Sequence, residues 1–197
     1  KAAGAVNLLL FRSDRLIEGR NTDAPGLAAS LLENLGKGAL TGKNAIVLGT
    51  GGAARAAVLA LSSLGATSIA IVSRTLLRGQ NLAREMAAST SAAVTASAWS
   101  DWKAAASKAN IMINATSAGM SDNPAPDVDL DALPVASAVC DLVYNPLETE
   151  LLKRAQSGGR RAIDGLGMLM HQAAPAFEAF YGERPQVTPA LRTELKK

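Results

Sequence analysis

The chain has 197 residues, little more than one domain at about 150 residues each, and 48% hydrophobic against 19% charged content excludes extended disorder. Its net charge of +3 is dispersed among mixed acids and bases, which argues against nucleic-acid binding, and no apolar run approaches the roughly 18 residues of a membrane span. The single cysteine, Cys140, excludes an intrachain disulfide framework and a cysteine-based zinc site and suits a reducing cytoplasm, and the start at 1–6 carries no secretory signal.

In chain order, residues 6–11 and 16–17 read as two strands joined by a turn at Ser13-Asp14. Residues 24–35 read as a helix, with Asp23 as its N-cap and Pro25 early in the first turn. Strand and helix signals then alternate: strands over 44–49, 68–72, 94–97, 111–114, 138–143 and 161–163, helices over 52–64, 76–88, 101–108 and 149–156. A proline-rich loop fills 123–134, a long helix 166–181, and a short terminal helix 189–197. Such alternation predicts an α/β fold, a Rossmann-like doubly wound parallel sheet. The two ends stand outside that pattern, and the chain opens within a strand signal, as the cut edge of something larger would.

After the first strand of the alternating region comes Gly49-Thr50-Gly51-Gly52-Ala53-Ala54, the G-x-G-x-x-A form of the dinucleotide fingerprint between a buried strand and a helix. Gly49 permits the tight turn, Gly51 lets a pyrophosphate approach the backbone, and small Ala54 allows close helix–strand packing. Free N–H groups and the positive end of the helix then hold the anion.

The end of the next strand indicates which dinucleotide. NAD-binding units place an acid there for the ribose 2′-hydroxyl. Here stand Ser73-Arg74-Thr75 and, one turn on, Arg78, with no acid. Guanidinium groups pair with a 2′-phosphate that an Asp would repel, and hydroxyls of Ser73 and Thr75 can donate to it, so NADP is expected. Arginines at a helix start are otherwise disfavoured by the helix dipole.

In order and spacing, Gly4-Ala-Val-Asn7, Gly19-Arg-Asn-Thr-Asp23, Gly49-Thr-Gly-Gly-Ala-Ala-Arg55, Ser73-Arg-Thr75, Asn114-Ala-Thr-Ser-Ala-Gly-Met120, Asp141-Leu-Val-Tyr-Asn-Pro146 and Asp164-Gly-Leu-Gly-Met-Leu-Met-His-Gln-Ala173 resemble the shikimate dehydrogenase family over 4–182. That resemblance implies reversible NADPH-dependent reduction of 3-dehydroshikimate to shikimate, in aromatic amino-acid biosynthesis. It implies a remnant of the substrate domain over 1–23, an NADP-binding domain over 24–165, and C-terminal helices over 166–197, the first packing back toward the substrate domain. By motif, Asn7, Asp23, Tyr144 and Gln172 would bind substrate, with Asp23 the acid of a catalytic Lys/Asp pair. The cofactor would meet Gly49, Thr50, Gly51, Gly52, Ala53, Ser73, Arg74, Thr75, Arg78, Thr116, Leu142, Gly165 and Met168. The implied protein is a cytoplasmic monomer or homodimer that binds a small molecule, without nucleic acid, membrane or metal.

Departures from the family pattern qualify this. Ser73 stands where the family usually has Asn, and Leu8 follows Asn7 in place of Thr. The family's catalytic lysine lies upstream of the Gly-Ala-Val-Asn piece; Lys1 is too close to Gly4 for that role, and Lys43 precedes the cofactor strand. The chain by itself is therefore expected to be inactive. Alternatives are an NAD-using quinate/shikimate dehydrogenase and a non-catalytic NADP-binding module. His171, the only histidine, adjoins Gln172 on a helix and so faces elsewhere; it reads as solvated or partly buried. Cys140 reads as an inert core residue, Met168 and Met170 as core packing, and Asp127, Asp129 and Asp131 as a solvated loop rather than a metal site.

Overall fold

Strands that are apolar without alternation must be covered on both faces, and that requirement organises the computed structural model, which describes residues 4–196. Before them comes an antiparallel pair, β1 (Leu8–Phe11) and β2 (Ile17–Arg20), in register Leu8↔Arg20 and Phe11↔Ile17. The second of these is longer than the 16–17 expected, because Glu18 pairs with both Arg12 and Arg20 and holds the extended backbone. Helix α1 (Asp23–Leu35) follows.

The remaining strands are β3 (Asn44–Leu48), β4 (Ser68–Ser73), β5 (Ala93–Ala98), β6 (Ile111–Asn114), β7 (Ala138–Asp141) and β8 (Arg161–Ile163). They form one parallel sheet in the order β5-β4-β3-β6-β7-β8. Chain order reverses at β3, so the crevice beyond the carboxyl ends of β3 and β6 is the topological switch point, where such sheets bind ligands. Alternate residues face opposite sides: Ala45, Val47, Ile69, Ile71, Ile111 and Ile113 join one core, Ile46, Leu48, Val72, Met112 and Val139 the other.

Helices α2 (Gly52–Ser63) and α3 (Leu76–Ala87) cover the first face. Alanines 54, 56 and 57 of α2 are wholly buried, as close helix–sheet contact needs. The short α4 (Trp102–Ala106) and α5 (Glu150–Ser157) cover the second face. Between β6 and β7 no helix forms; the proline-rich segment contributes only a single 3₁₀ turn at Leu130–Ala132. Helix α6 (Leu166–Tyr181) lies along α1, and α7 (Pro189–Glu194) is tied to its start by an ion pair between Arg192 and Asp164. None of the helices is long and apolar enough to cross a membrane, among the described residues.

Two local expectations are corrected. Asp23 is the first residue of α1 rather than its cap; Thr22 precedes it, and the N–H groups of Asp23 and Ala24 are met by Asn21 Oδ1 at 3.2 and 3.3 Å. Strand β7 stops at Asp141 rather than continuing to 143, because the Asp141 carboxylate accepts the Val143 N–H at 3.1 Å and turns the backbone out of the sheet.

The α1–α6 contact depends on missing side chains. A methyl group at Gly26 would stand 2.7 Å from the backbone nitrogen of Gln172, and one at Gly167 would stand 2.4 Å from Ser30 Oγ. Because backbone cannot yield as a side-chain tip does, Gly26→Ala is expected to cost about 1–3 kcal/mol, as overpacking does. Urea denaturation reads this as a lower midpoint at unchanged slope; an unchanged midpoint would show that the helices slide apart freely.

Candidate active site

At the carboxyl edge of the sheet, Gly49 leaves β3 with φ +107°, a conformation that penalises any side chain, and a methyl there would also lie 2.9 Å from the Ala115 carbonyl oxygen. The chain therefore turns tightly from β3 against the β6 loop, and Gly51 becomes the N-cap of α2. Gly51 and Gly52 are exposed, and methyl groups on them would meet nothing within 4 Å, so the start of α2 is open. That is the form of an anion cradle at a helix N-terminus, and a pyrophosphate fits it. Ala54 is fully buried beneath it, as expected for close packing.

Arg74 and Arg78 are exposed at the start of α3, and neither guanidinium has a partner among the described residues. Thr75, at the N-cap position, makes no capping hydrogen bond with its side chain. Ser73 differs from expectation. It is buried, and its hydroxyl donates to the Thr75 carbonyl at 2.9 Å, so its proton is committed to shaping the turn rather than to a phosphate.

Three cavities line up along this edge. The first, about 530 Å³, is bounded by Arg74, Trp99, Thr116, Ser117 and the 123–127 segment; its one acid, Asp127, makes no ion pair with Arg74. The second, about 270 Å³, shares Thr116 with it and adds Ala53, Leu142 and Tyr144. The third, about 310 Å³, shares Ala53, Leu142 and Tyr144 with the second and adds Asn7, Asp23, Gly165, Met168 and Gln172. Shared walls make a run from Arg74 to the Asp23 carboxylate, and the site residues expected from the sequence border it or lie in the Gly49–Gly52 turn, except Ser73, Thr75 and Arg78. No lysine lines the third cavity among the described residues, and Lys1 lies outside them.

Around Asp23 the hydrogen bonds interlock. Asn7 Nδ2 donates to Thr22 Oγ1 at 2.9 Å and to Asp23 Oδ1 at 2.8 Å, and Asn7 Oδ1 accepts the Thr22 N–H at 2.9 Å. One Asn7 N–H is thus spent on Thr22 and the other on Asp23, leaving one lone pair on Oδ1 for an incoming hydroxyl. The Thr22 hydroxyl in turn donates to Gln172 Oε1 at 3.1 Å, which leaves the Gln172 amide N–H groups free for a ligand. Asp23 Oδ2 has only a long contact, 3.5 Å, from Asn21 Nδ2, so it is open to a hydroxyl or ammonium donor.

His171 points away from this cluster, with Nε2 3.0 Å from Glu33 Oε2 across the α1–α6 contact. Cys140 is buried, and burial pushes its thiol far above the usual range, as an inert core residue requires. Met170 is core; Met168 packs on the core and also borders the third cavity. The 127–131 segment is not simply solvated: Asp129 pairs with Lys103 at 3.2 Å, and Asp131 lies 3.8 Å from the buried Arg160.

What sequence reading missed lies beneath the cavities. Buried Asn114 Nδ2 donates to Asp141 Oδ1 at 2.8 Å and to the Ala118 carbonyl at 3.1 Å, while its Oδ1 accepts from the Thr116 hydroxyl and N–H. Asp141 Oδ2 accepts the Thr149 hydroxyl at 2.7 Å, and Thr149 caps α5 by accepting the Leu152 N–H. An acid ending an otherwise apolar strand was the available signal.

A family model described as Shikimate / quinate 5-dehydrogenase matches residues 30–121. The NADP(+) shikimate dehydrogenase of Methylobacterium radiotolerans is 46% identical over 197 residues, covering 99% of this chain and 68% of that protein. Among solved structures, quinate dehydrogenase from Corynebacterium glutamicum in complex with NAD superposes with a TM-score of 0.88 at 31% identity, over 100% of this chain and 69% of that one. Shikimate 5-dehydrogenase from Thermus thermophilus in complex with NADP(H) and shikimate superposes with a TM-score of 0.78 at 35% identity, over 94% and 65%. The chain thus spans about two thirds of the length of these relatives.

Burial raises the pKa of Asp141 above the ordinary carboxylate value, against the opposing hydrogen bonds from Thr149, Val143 and Asn114. The folded chain then holds this proton more tightly than the unfolded chain does. The group's stabilising contribution is full below about pH 4, the unfolded value, and declines as pH rises through the folded value. Asp141→Asn keeps Oδ1 as an acceptor and removes the titration. Its urea midpoint relative to the unsubstituted protein is expected to rise from pH 4 toward neutrality; a difference independent of pH would sink the assignment.

Proposed function

The chain belongs to the shikimate / quinate 5-dehydrogenase family, and from that premise we propose that it carries the NADP site and part of the substrate site for the reversible NADPH-dependent reduction of 3-dehydroshikimate to shikimate. The observation that carries this reading is the run of cavities from Arg74 to Asp23, with an anion cradle at Gly51–Gly52 beside it. When bound, NADPH supplies the hydride.

Arg74 and Arg78 pair with the 2′-phosphate, and Thr75 donates its unspent hydroxyl; Ser73 acts on the phosphate only by setting the turn that presents them. The α2 N-terminus holds the pyrophosphate through backbone N–H groups. Thr116, Leu142, Gly165 and Met168 border the path of the nicotinamide half toward Asp23, and Tyr144 faces both cofactor and substrate. In the substrate cavity Asp23 Oδ2 accepts a substrate hydroxyl, and Gln172 donates from its free amide. Asn7 fixes the Asp23 carboxylate and accepts one hydroxyl through Oδ1.

Protonation of the carbonyl oxygen needs a general acid beside Asp23. With no lysine bordering that cavity among the described residues, those residues bind cofactor and orient substrate, and the proton comes from a group outside them. The proposed division is a substrate-binding part over 1–23, the NADP unit over 24–165, and C-terminal helices over 166–197, of which α6 brings Gln172 to the substrate side. The reading also carries the cytoplasmic setting and the monomer or homodimer expected from the sequence.

Calorimetric titration with NADP and with NAD is the direct test, followed by nicotinamide absorbance with shikimate. NADP binding without turnover is expected. Turnover would overturn the account of the missing acid, and binding of neither nucleotide would sink the reading. Arg74→Ala is expected to weaken NADP roughly tenfold to a hundredfold, the worth of a charged hydrogen bond at about 1.5–3 kcal/mol, with NAD little changed. Equal losses for both would remove Arg74 from the 2′-phosphate and favour the NAD-using alternative.

A further inference from the structure

Three successive carbonyls of the proline-rich segment are each held by a side chain from another element. Trp99 Nε1 donates to the Asp127 carbonyl at 3.0 Å, Arg154 Nη2 to that of Val128, and Trp102 Nε1 to that of Asp129 at 2.7 Å. The chain's two tryptophans, Trp99 just after β5 and Trp102 at the start of α4, therefore clamp one strip of backbone at alternate residues. They differ in what lies beyond. Trp102 is 5% exposed and belongs to the core. Trp99 is half-buried and borders the 530 Å³ cavity beside Arg74, and the residues just before its carbonyl partner, Asn123 to Pro126, form another part of that cavity's wall.

That wall has few other ties to the scaffold among the described residues, one being the Ser121 N–H to the Asn145 carbonyl at 3.2 Å. Within it, Gly119 N–H donates to the Pro124 carbonyl at 2.9 Å and Asn123 N–H to the Met120 carbonyl at 3.0 Å, bonds internal to the segment. At its near end the Ala118 carbonyl is held by Asn114 at 3.1 Å. At its far end the Trp99 indole N–H is the anchor closest to the cavity. A hydrogen bond there sets where the wall stands relative to Arg74, and so the width of the cleft that would take the adenosine half of a dinucleotide, the half bearing the 2′-phosphate.

We propose that Trp99 is a positioning residue that holds the 123–127 segment as the outer wall of the nucleotide cleft and thereby sets affinity for NADP. This rests on the reading of the cleft as an NADP site. Trp99→Phe keeps an aromatic ring but removes the indole N–H together with the volume of the five-membered ring, and Trp102→Phe does the same one helical turn away, in the core. Calorimetric titration of the three proteins with NADP is paired with amide hydrogen exchange on the nucleotide-free chains.

Trp99→Phe is expected to weaken NADP about threefold to tenfold, the equivalent of one lost hydrogen bond, and to speed exchange at Gly119 and Asn123, with little change in melting temperature. Trp102→Phe is expected to lower the melting temperature and leave NADP affinity within about twofold. NADP affinity unchanged in Trp99→Phe would overturn the proposal, and so would an equal loss in Trp102→Phe, which would mean general loosening. Should the unsubstituted chain bind no NADP, the reading of the site falls, and exchange then decides on Trp99: amides no faster in Trp99→Phe would overturn the clamp itself.

Discussion

The hydrogen bond from Asn114 Nδ2 to Asp141 Oδ1, buried and 2.8 Å long, ties the carboxyl ends of the adjacent strands β6 and β7. Both strands end at these residues, and both loops that leave them border the cavities. Asn114 uses its remaining groups to hold Thr116 and Ala118, and Asp141 uses its own to turn Val143 and to seat Thr149 at the start of α5. A carboxylate taken out of water costs stability unless its oxygens are met. Here they are met by groups whose positions define the site, so the cost of burial is tied to the geometry that the cleft needs.

A second constraint acts from the opposite side. Asn7 precedes β1, Asp23 begins α1, and Gln172 lies within α6, yet the three are linked through Thr22. The link exists because α1 and α6 approach until Gly26 touches the backbone of Gln172. Small residues at a helix crossing thus do more than fill space. They set the distance over which one threonine hydroxyl bridges the Asn7 amide from one end of the chain and the Gln172 amide from the other.

Between these two anchored sides the cleft carries two electrostatic characters. At one end Arg74 and Arg78 are exposed and unpaired, a free positive pair beside the open N-terminus of α2. At the other, Asp23 offers one largely uncommitted carboxylate oxygen. An elongated ligand with phosphates at one end and a reacting ring at the other matches that polarity.

Much of this was legible in the chain itself, because local rules act over a few residues. Unbroken apolar runs marked the strands, and Gly49-Thr50-Gly51-Gly52 marked the turn. What a local pattern could not carry was how side chains spend their hydrogen bonds. Ser73 read as a phosphate donor, yet its hydroxyl turns back on Thr75; Asn7 read as a substrate ligand, yet its two donors hold Thr22 and Asp23. The acids at 127–131 read as a solvated loop, yet donors from just after β5, from α4 and from α5 fasten that strip. Periodicity and propensity determined the order of strands and helices and the chemistry of the nucleotide turn. Tertiary structure decided which polar groups around Asp23 remain free for a ligand, because the partners of Asn7, Thr22 and Gln172 are distant in sequence, and only packing brings them within 3 Å or so.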